Sequence, residues 1–173
     1  MRLPVLVAAI AGLGLFCSSS EAARIWMPKA DNPYCGVTTY TLRDVPELAM
    51  SMLDSNGTPV IVVNAMTLTD QPAYGRFLMA HECCHHTLGH VGRFHEGFGH
   101  VGPQPFFYIA PQLKHMELDA DCSAVKILKL KNEPDTIEAA RTMMAKFGAK
   151  PTGAYYPTGI ERADNIARCA AAN

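Results

Sequence analysis

The chain has 173 residues, 49% of them hydrophobic and 18% charged, with a formal net charge of -1. That length is enough for one domain with a real core and too short for two ordinary ones. A charge near zero, with the lysines dispersed rather than gathered into a run, supplies no field for nucleic acid and excludes that class of partner.

Arg2, an apolar run from Leu3 to Phe16, and small residues reaching Ser20-Glu21-Ala22 form the pattern of a secretory signal peptide over residues 1–22, leaving a domain over 23–173. The apolar run is too short for a stable span, so an exported protein, periplasmic or extracellular, is expected, with no membrane span after signal cleavage. An uncleaved anchor is the competing reading. A lipoprotein reading of Cys17 is disfavoured by Phe16, where a small residue is wanted.

Residues 24–40, punctuated by Pro and Gly, read as irregular. Residues 44–54 carry a short helical pattern before the turn Ser55-Asn56-Gly57, and 59–64 read as a strand. Thr69 or Asp70 can cap the next helix, Pro72 suits its first turn, and Gly89 stops it. From 91 to 111 the Gly and Pro density, with Phe94, Phe98, Phe106 and Phe107, predicts neither helix nor strand. Those aromatics either line a cleft as a flap or plug the core from a surface loop. A helix over about 114–131 sets Glu117, Asp121, Ala124 and Leu128 along one stripe. Pro134 opens another helix that Gly148 ends, and Thr158 with Glu161 forms a capping box for the last. These elements predict an α+β fold: one compact domain, mostly helical, with a small sheet.

All seven histidines fall between His81 and His115, and His81-Glu82-Cys83-Cys84-His85 is an H-E-x-x-H motif. Positions i and i+4 of a helix lie about 40° apart, so His81 and His85 can offer two imidazole nitrogens to one ion. Glu82 then stands where a carboxylate can act as general base on metal-activated water. Such a site needs a third protein ligand. The metzincin pattern, with Gly three residues after the second His and a third His three beyond, fails at Leu88 and Val91. Glu117 and Asp121 are also i and i+4, so Glu117 can reach the metal while Asp121 bonds the outer nitrogen of a liganding His. Thiolate ligation by Cys83 or Cys84 is the weaker alternative, because export oxidises thiols. His90, His95 and His100 raise the idea of a second metal site.

H-E-x-x-H followed by Glu117-Leu118-Asp119-Ala120-Asp121 resembles the gluzincin metallopeptidases, in particular the M48-like group with its compact minigluzincin core. The likeness runs over about residues 58–168. It implies a zincin-like domain with one Zn2+ held by His81, His85 and Glu117, Asp121 as the partner of a liganding His, and a peptide or protein substrate. It also implies that 58–64 form the upper edge of a small sheet beside the active-site helix, with substrate laid along that edge. Tyr156-Pro157-Thr158-Gly159-Ile160-Glu161-Arg162 resembles the family's His-Pro segment followed by Arg, with Tyr156 where the His stands. Tyr156 is therefore a candidate catalytic residue. Tyr155, Tyr156, His115 and Arg162 are unranked candidates for the oxyanion donor. The expected function is an exported zinc-dependent peptidase with Glu82 as general base; the alternative is a non-catalytic metal-binding protein or pseudo-peptidase.

Without Cys17, five cysteines remain, and export predicts that four pair. Proximity of Asp121 to the motif helix suggests Cys83 or Cys84 with Cys122, leaving Cys35 with Cys169.

Overall fold

Thr38-Thr39-Tyr40-Thr41-Leu42 and Pro59-Val60-Ile61-Val62-Val63-Asn64 are rich in residues that favour extended backbone, and both are strands. In the computed structural model, residues 27–45, 47–93 and 106–172 are described, the last stretch with its side chains from 110 onward. The signal-peptide segment 1–22, Cys17, Phe94, Phe98, His95 and His100 lie outside the described residues, as do the side chains of Phe106 and Phe107.

The strands are β1 (Lys29–Ala30), β2 (Thr38–Leu42), β3 (Ala49–Leu53) and β4 (Pro59–Asn64), in the sheet order β1-β2-β4-β3. β4 runs parallel to β2 and antiparallel to β3. Two expectations fail here. Residues 24–40 contain strands, and the regular element within 44–54 is β3 rather than a helix: the helix-favouring Ala, Met and Leu of Ala49–Leu53 are overruled by pairing with β4. The turn at 55–57 therefore closes a β-hairpin, with the Asp54 carboxylate accepting from the N–H groups of Asn56 and Thr58 at 2.8 Å and Gly57 at φ 76°. A third correction follows from the order, since β4 is an interior strand and the edge strands are β1 and β3, with β3 on the side of β4.

The helices are α1 (Ala65–Asp70), α2 (Pro72–Thr87), α3 (Phe106–Leu130), α4 (Pro134–Phe147) and α5 (Gly159–Ala171). Thr69 and Asp70 do not cap α2; they end α1, whose own cap is Asn64, accepting from Met66 N and Thr67 N. Pro72 does occupy the first turn of α2. Helix α3 starts well before the expected Lys114 and contains Pro111, whose missing N–H costs one bond early in a long helix. The Thr158–Glu161 capping box at α5 and the stop at Gly148 stand as expected.

Helix α2 lies at the centre, against β3 and β4 on one side and α3 and α4 on others. It is buried almost all round from Tyr74 to Cys84, which is how a helix flanked by several elements must be built. Phe77, Ile61, Val125, Leu128 and Ile166 are fully buried in this core, each contributing about 1.5–3 kcal/mol of transfer free energy. His81 and Glu82 share that environment, so their polar atoms must find partners inside the protein.

The disulfides are Cys35–Cys83 and Cys122–Cys169, with Cα separations of 5.9 and 5.4 Å, and Cys84 is the buried free thiol. The expected pairing of Cys122 with α2 is wrong for a simple reason. Neighbouring residues on a helix point about 100° apart, so if Asp121 faces α2, Cys122 must face another element, here α5. Two disulfides are compatible with an extracytoplasmic protein. Among the described residues, no helix is long and apolar enough to cross a membrane.

Candidate metal centre

The i, i+4 spacing on α2 brings His81 Nε2 and His85 Nε2 within 3.0 Å of each other. Helix α3 supplies the carboxylate of Glu117, with Oε2 3.4 Å from His81 Nε2 and Oε1 3.3 Å from His85 Nε2. Donors around an ion held tetrahedrally at about 2.0–2.1 Å stand about 3.3 Å apart, and each imidazole is near that distance from a different oxygen of Glu117. Among the described residues this is the one group of three or more such side chains whose ligand atoms converge, all within 4.8 Å. These are the three residues that the sequence singled out, and the fold brings them together.

Asp121, fully buried, sets Oδ1 at 2.9 Å from His81 Nδ1, as the spacing on α3 implied. Its other neighbour is Arg162 of α5, whose Nε and Nη2 donate to Oδ2 at 2.9 Å and Oδ1 at 2.6 Å in a two-pronged pair. Arg162 Nη1 also lies 3.3 Å from Glu117 Oε2. The guanidinium lines the cleft but is tied to two acids, which commits its N–H groups to Asp121 and Glu117. With both imidazoles deprotonated, as metal ligation requires, the carboxylates of Glu82, Glu117 and Asp121 against one guanidinium leave this group at a formal -2. A divalent cation would neutralise it.

The same contacts move proton affinities. Burial alone would lower the pKa of His81, but the bonds to Asp121 and Glu117 outweigh it and push it up to about 10. Glu117 and Asp121 move the other way: burial favours their neutral forms, yet His81 and Arg162 hold both below the usual carboxylate range.

Glu82 lies on α2 beside the donor cluster and lines a cleft of about 750 Å3. Its carboxylate is in close contact with the Ser51 hydroxyl of β3, and Ser51 Oγ also lies 3.0 Å from the Glu82 carbonyl oxygen. The register explains the contact. Ser51 pairs with Ile61 and Ala49 with Val63, so Ser51 shares the sheet face whose Ile61 and Val63 pack on α2. Ser51 was missed because its strand was read as a helix.

Tyr156 lines the same cleft, and burial, with Glu117 and Glu82 nearby, pushes its hydroxyl up to about 12, so it stays a donor through the ordinary pH range. Tyr155 is 43% exposed, with left-handed backbone at φ 66°. His115 is exposed on α3 and pairs with Asp119 at 3.2 Å. Neither lines the cleft. His90, raised above as part of a second metal site, is 4% exposed, with Nδ1 3.1 Å from His85 Nδ1. Burial, with His85 and Arg93 nearby, lowers its pKa to about 4, so its ring is neutral.

The geometry thus defines an α+β domain with a buried His-His-Glu donor cluster at the floor of an open cleft. No family model, curated protein or solved structure matches the chain.

Proposed function

We propose that this protein is an exported, zinc-dependent peptidase of the gluzincin type. The observation that carries the reading is the convergence of the His81, His85 and Glu117 ligand atoms within 4.8 Å of one another, with Glu82 outside that cluster and lining the cleft. The two disulfides support export.

His81, His85 and Glu117 would hold the ion. When bound, zinc supplies Lewis acidity, bringing the pKa of a water towards about 7 and polarising a carbonyl. Glu82 takes the proton of the attacking water on its carboxylate and passes it to the departing amine. Ser51 keeps that carboxylate turned toward the cleft. Tyr156, still carrying its phenolic proton, is the donor favoured for the oxyanion, since Arg162 is committed to Asp121 and Glu117.

The substrate is an extended peptide added to the β3 edge, where main-chain bonds supply affinity. Leu48, Met50, Leu78, Leu113, Met116 and Phe147 line the cleft, so bulky apolar side chains beside the scissile bond are favoured.

The test compares wild type with Glu82→Gln for zinc content and for cleavage of an unfolded protein such as casein. One zinc per chain in both, with cleavage only by wild type, is the expected result. Zinc in both with cleavage by neither points to the alternative, a non-catalytic metal-binding protein. Equal cleavage by both removes Glu82 as the base.

A further inference from the structure

The two liganding imidazoles are steadied in different ways. His81 turns its Nδ1 to the Asp121 carboxylate, whereas His85 turns its Nδ1 to a third ring, that of His90 at 3.1 Å. We propose that His90 is a positioning residue for metal binding: its Nδ1 accepts the Nδ1–H of His85 and so fixes the tautomer that presents His85 Nε2 to the ion. The inference rests on the metal-binding part of the proposed function and not on peptide hydrolysis.

A neutral imidazole carries one N–H. For His85 to offer the Nε2 lone pair, that hydrogen must sit on Nδ1, and a largely buried N–H needs an acceptor. Among the described residues, His90 Nδ1 is the hydrogen-bond partner on that side. The two rings meet edge-on, with centroids 5.1 Å apart and planes 66° apart, which suits an N–H···N bond and not a stack. The chain arrives there by a specific route. Helix α2 ends at Thr87, Gly89 adopts φ 70°, and a helical stretch at 90–93 folds His90 back under the end of α2.

The neutral acceptor also suits the charge of the site. A carboxylate in its place would take the buried group from a formal -2 to -3, more than one divalent ion neutralises. His90 is not itself part of the donor cluster, because its contact is with the ring nitrogen of His85 that faces away from His81 and Glu117.

The test measures zinc affinity of the full chain by competition with a chromophoric chelator, for wild type, His90→Asn and His90→Phe. The side-chain oxygen of Asn can stand about where Nδ1 stood, whereas Phe keeps the ring and removes the acceptor. Phe is expected to weaken zinc binding about 10- to 100-fold, and Asn to stay within a few-fold of wild type. His90→Leu gives a second acceptor-free variant should Phe not fold, as judged by thermal melting after chelation. Any result in which Asn binds no better than the acceptor-free variants overturns the inference. A wild type that takes up no zinc overturns both this and the metal centre. Variants that behave as expected in a protein that cleaves no peptide leave His90 standing and remove the peptidase reading alone.

Discussion

The helical wall of the cleft, from α2, α3 and α5, carries a buried network in which two acids, a guanidinium and an imidazole satisfy one another, and a disulfide ties α3 to α5 behind it. The strand wall, β3, brings one hydroxyl to the Glu82 carboxylate and presents an edge with no further strand among the described residues. At the donor cluster, every described buried side-chain polar atom has a partner. Where an extended chain could add, backbone pairing is left open.

Substitutions should therefore act very differently on the two walls. Asp121→Ala leaves Arg162 buried with its main partner gone and should destabilise the protein by about 3–5 kcal/mol in denaturant unfolding; a loss under 1 kcal/mol would show the network to be loosely held. Replacing Cys122 and Cys169 together with Ser opens a link across 47 residues of sequence and should lower stability by up to about 4 kcal/mol.

Acid and base titration of chelator-treated protein reads the same network. The pKa of His81 is raised to about 10 on folding, so its contribution is complete below its unfolded value of about 6.5 and lost as pH rises through 10. Glu117 and Asp121 are depressed, so theirs is present above their unfolded values of about 4 and lost as pH falls through the lowered ones. The melting midpoint should decline on both sides of that window; a flat profile from pH 6.5 to 10 would contradict the pairing of His81 with the two acids.

On the strand wall, Ser51→Ala should cost about 1–3 kcal/mol of stability, by leaving the Glu82 carboxylate without this partner, and should lower kcat/KM on a peptide about 10-fold or more by freeing that carboxylate to turn. An unchanged rate would make Ser51 merely a packing contact. The smallest effect belongs to Thr158→Ala, which removes the cap of α5 far from the donors and should cost about 1 kcal/mol with zinc affinity unchanged.

The helical wall was largely legible in the sequence, because i, i+4 spacing on α2 and α3 fixes which side chains share a face before any packing is known. His81 with His85 and Glu117 with Asp121 follow from that rule, and Glu82 follows from the H-E-x-x-H motif that contains the first pair. What local pattern does not contain is the partner of each element. Ala49-Met50-Ser51-Met52-Leu53 has no helix-breaking residue, and only β4 makes it a strand, so Ser51 was hidden. The pairing of Cys122 was misjudged because the element facing the other side of α3, helix α5, could not be seen from the sequence. His90 was hidden by the turn at Gly89, whose left-handed backbone folds the chain back onto α2.

Zinc-edge X-ray absorption on the full chain, combined with its metal content and repeated on Glu117→Ala, addresses the donor cluster most directly. One zinc per chain, bound by two imidazole nitrogens and carboxylate oxygen without sulfur, and greatly weakened in the variant, is the expected result. Sulfur in the coordination shell, or zinc held equally well without the Glu117 carboxylate, would contradict it.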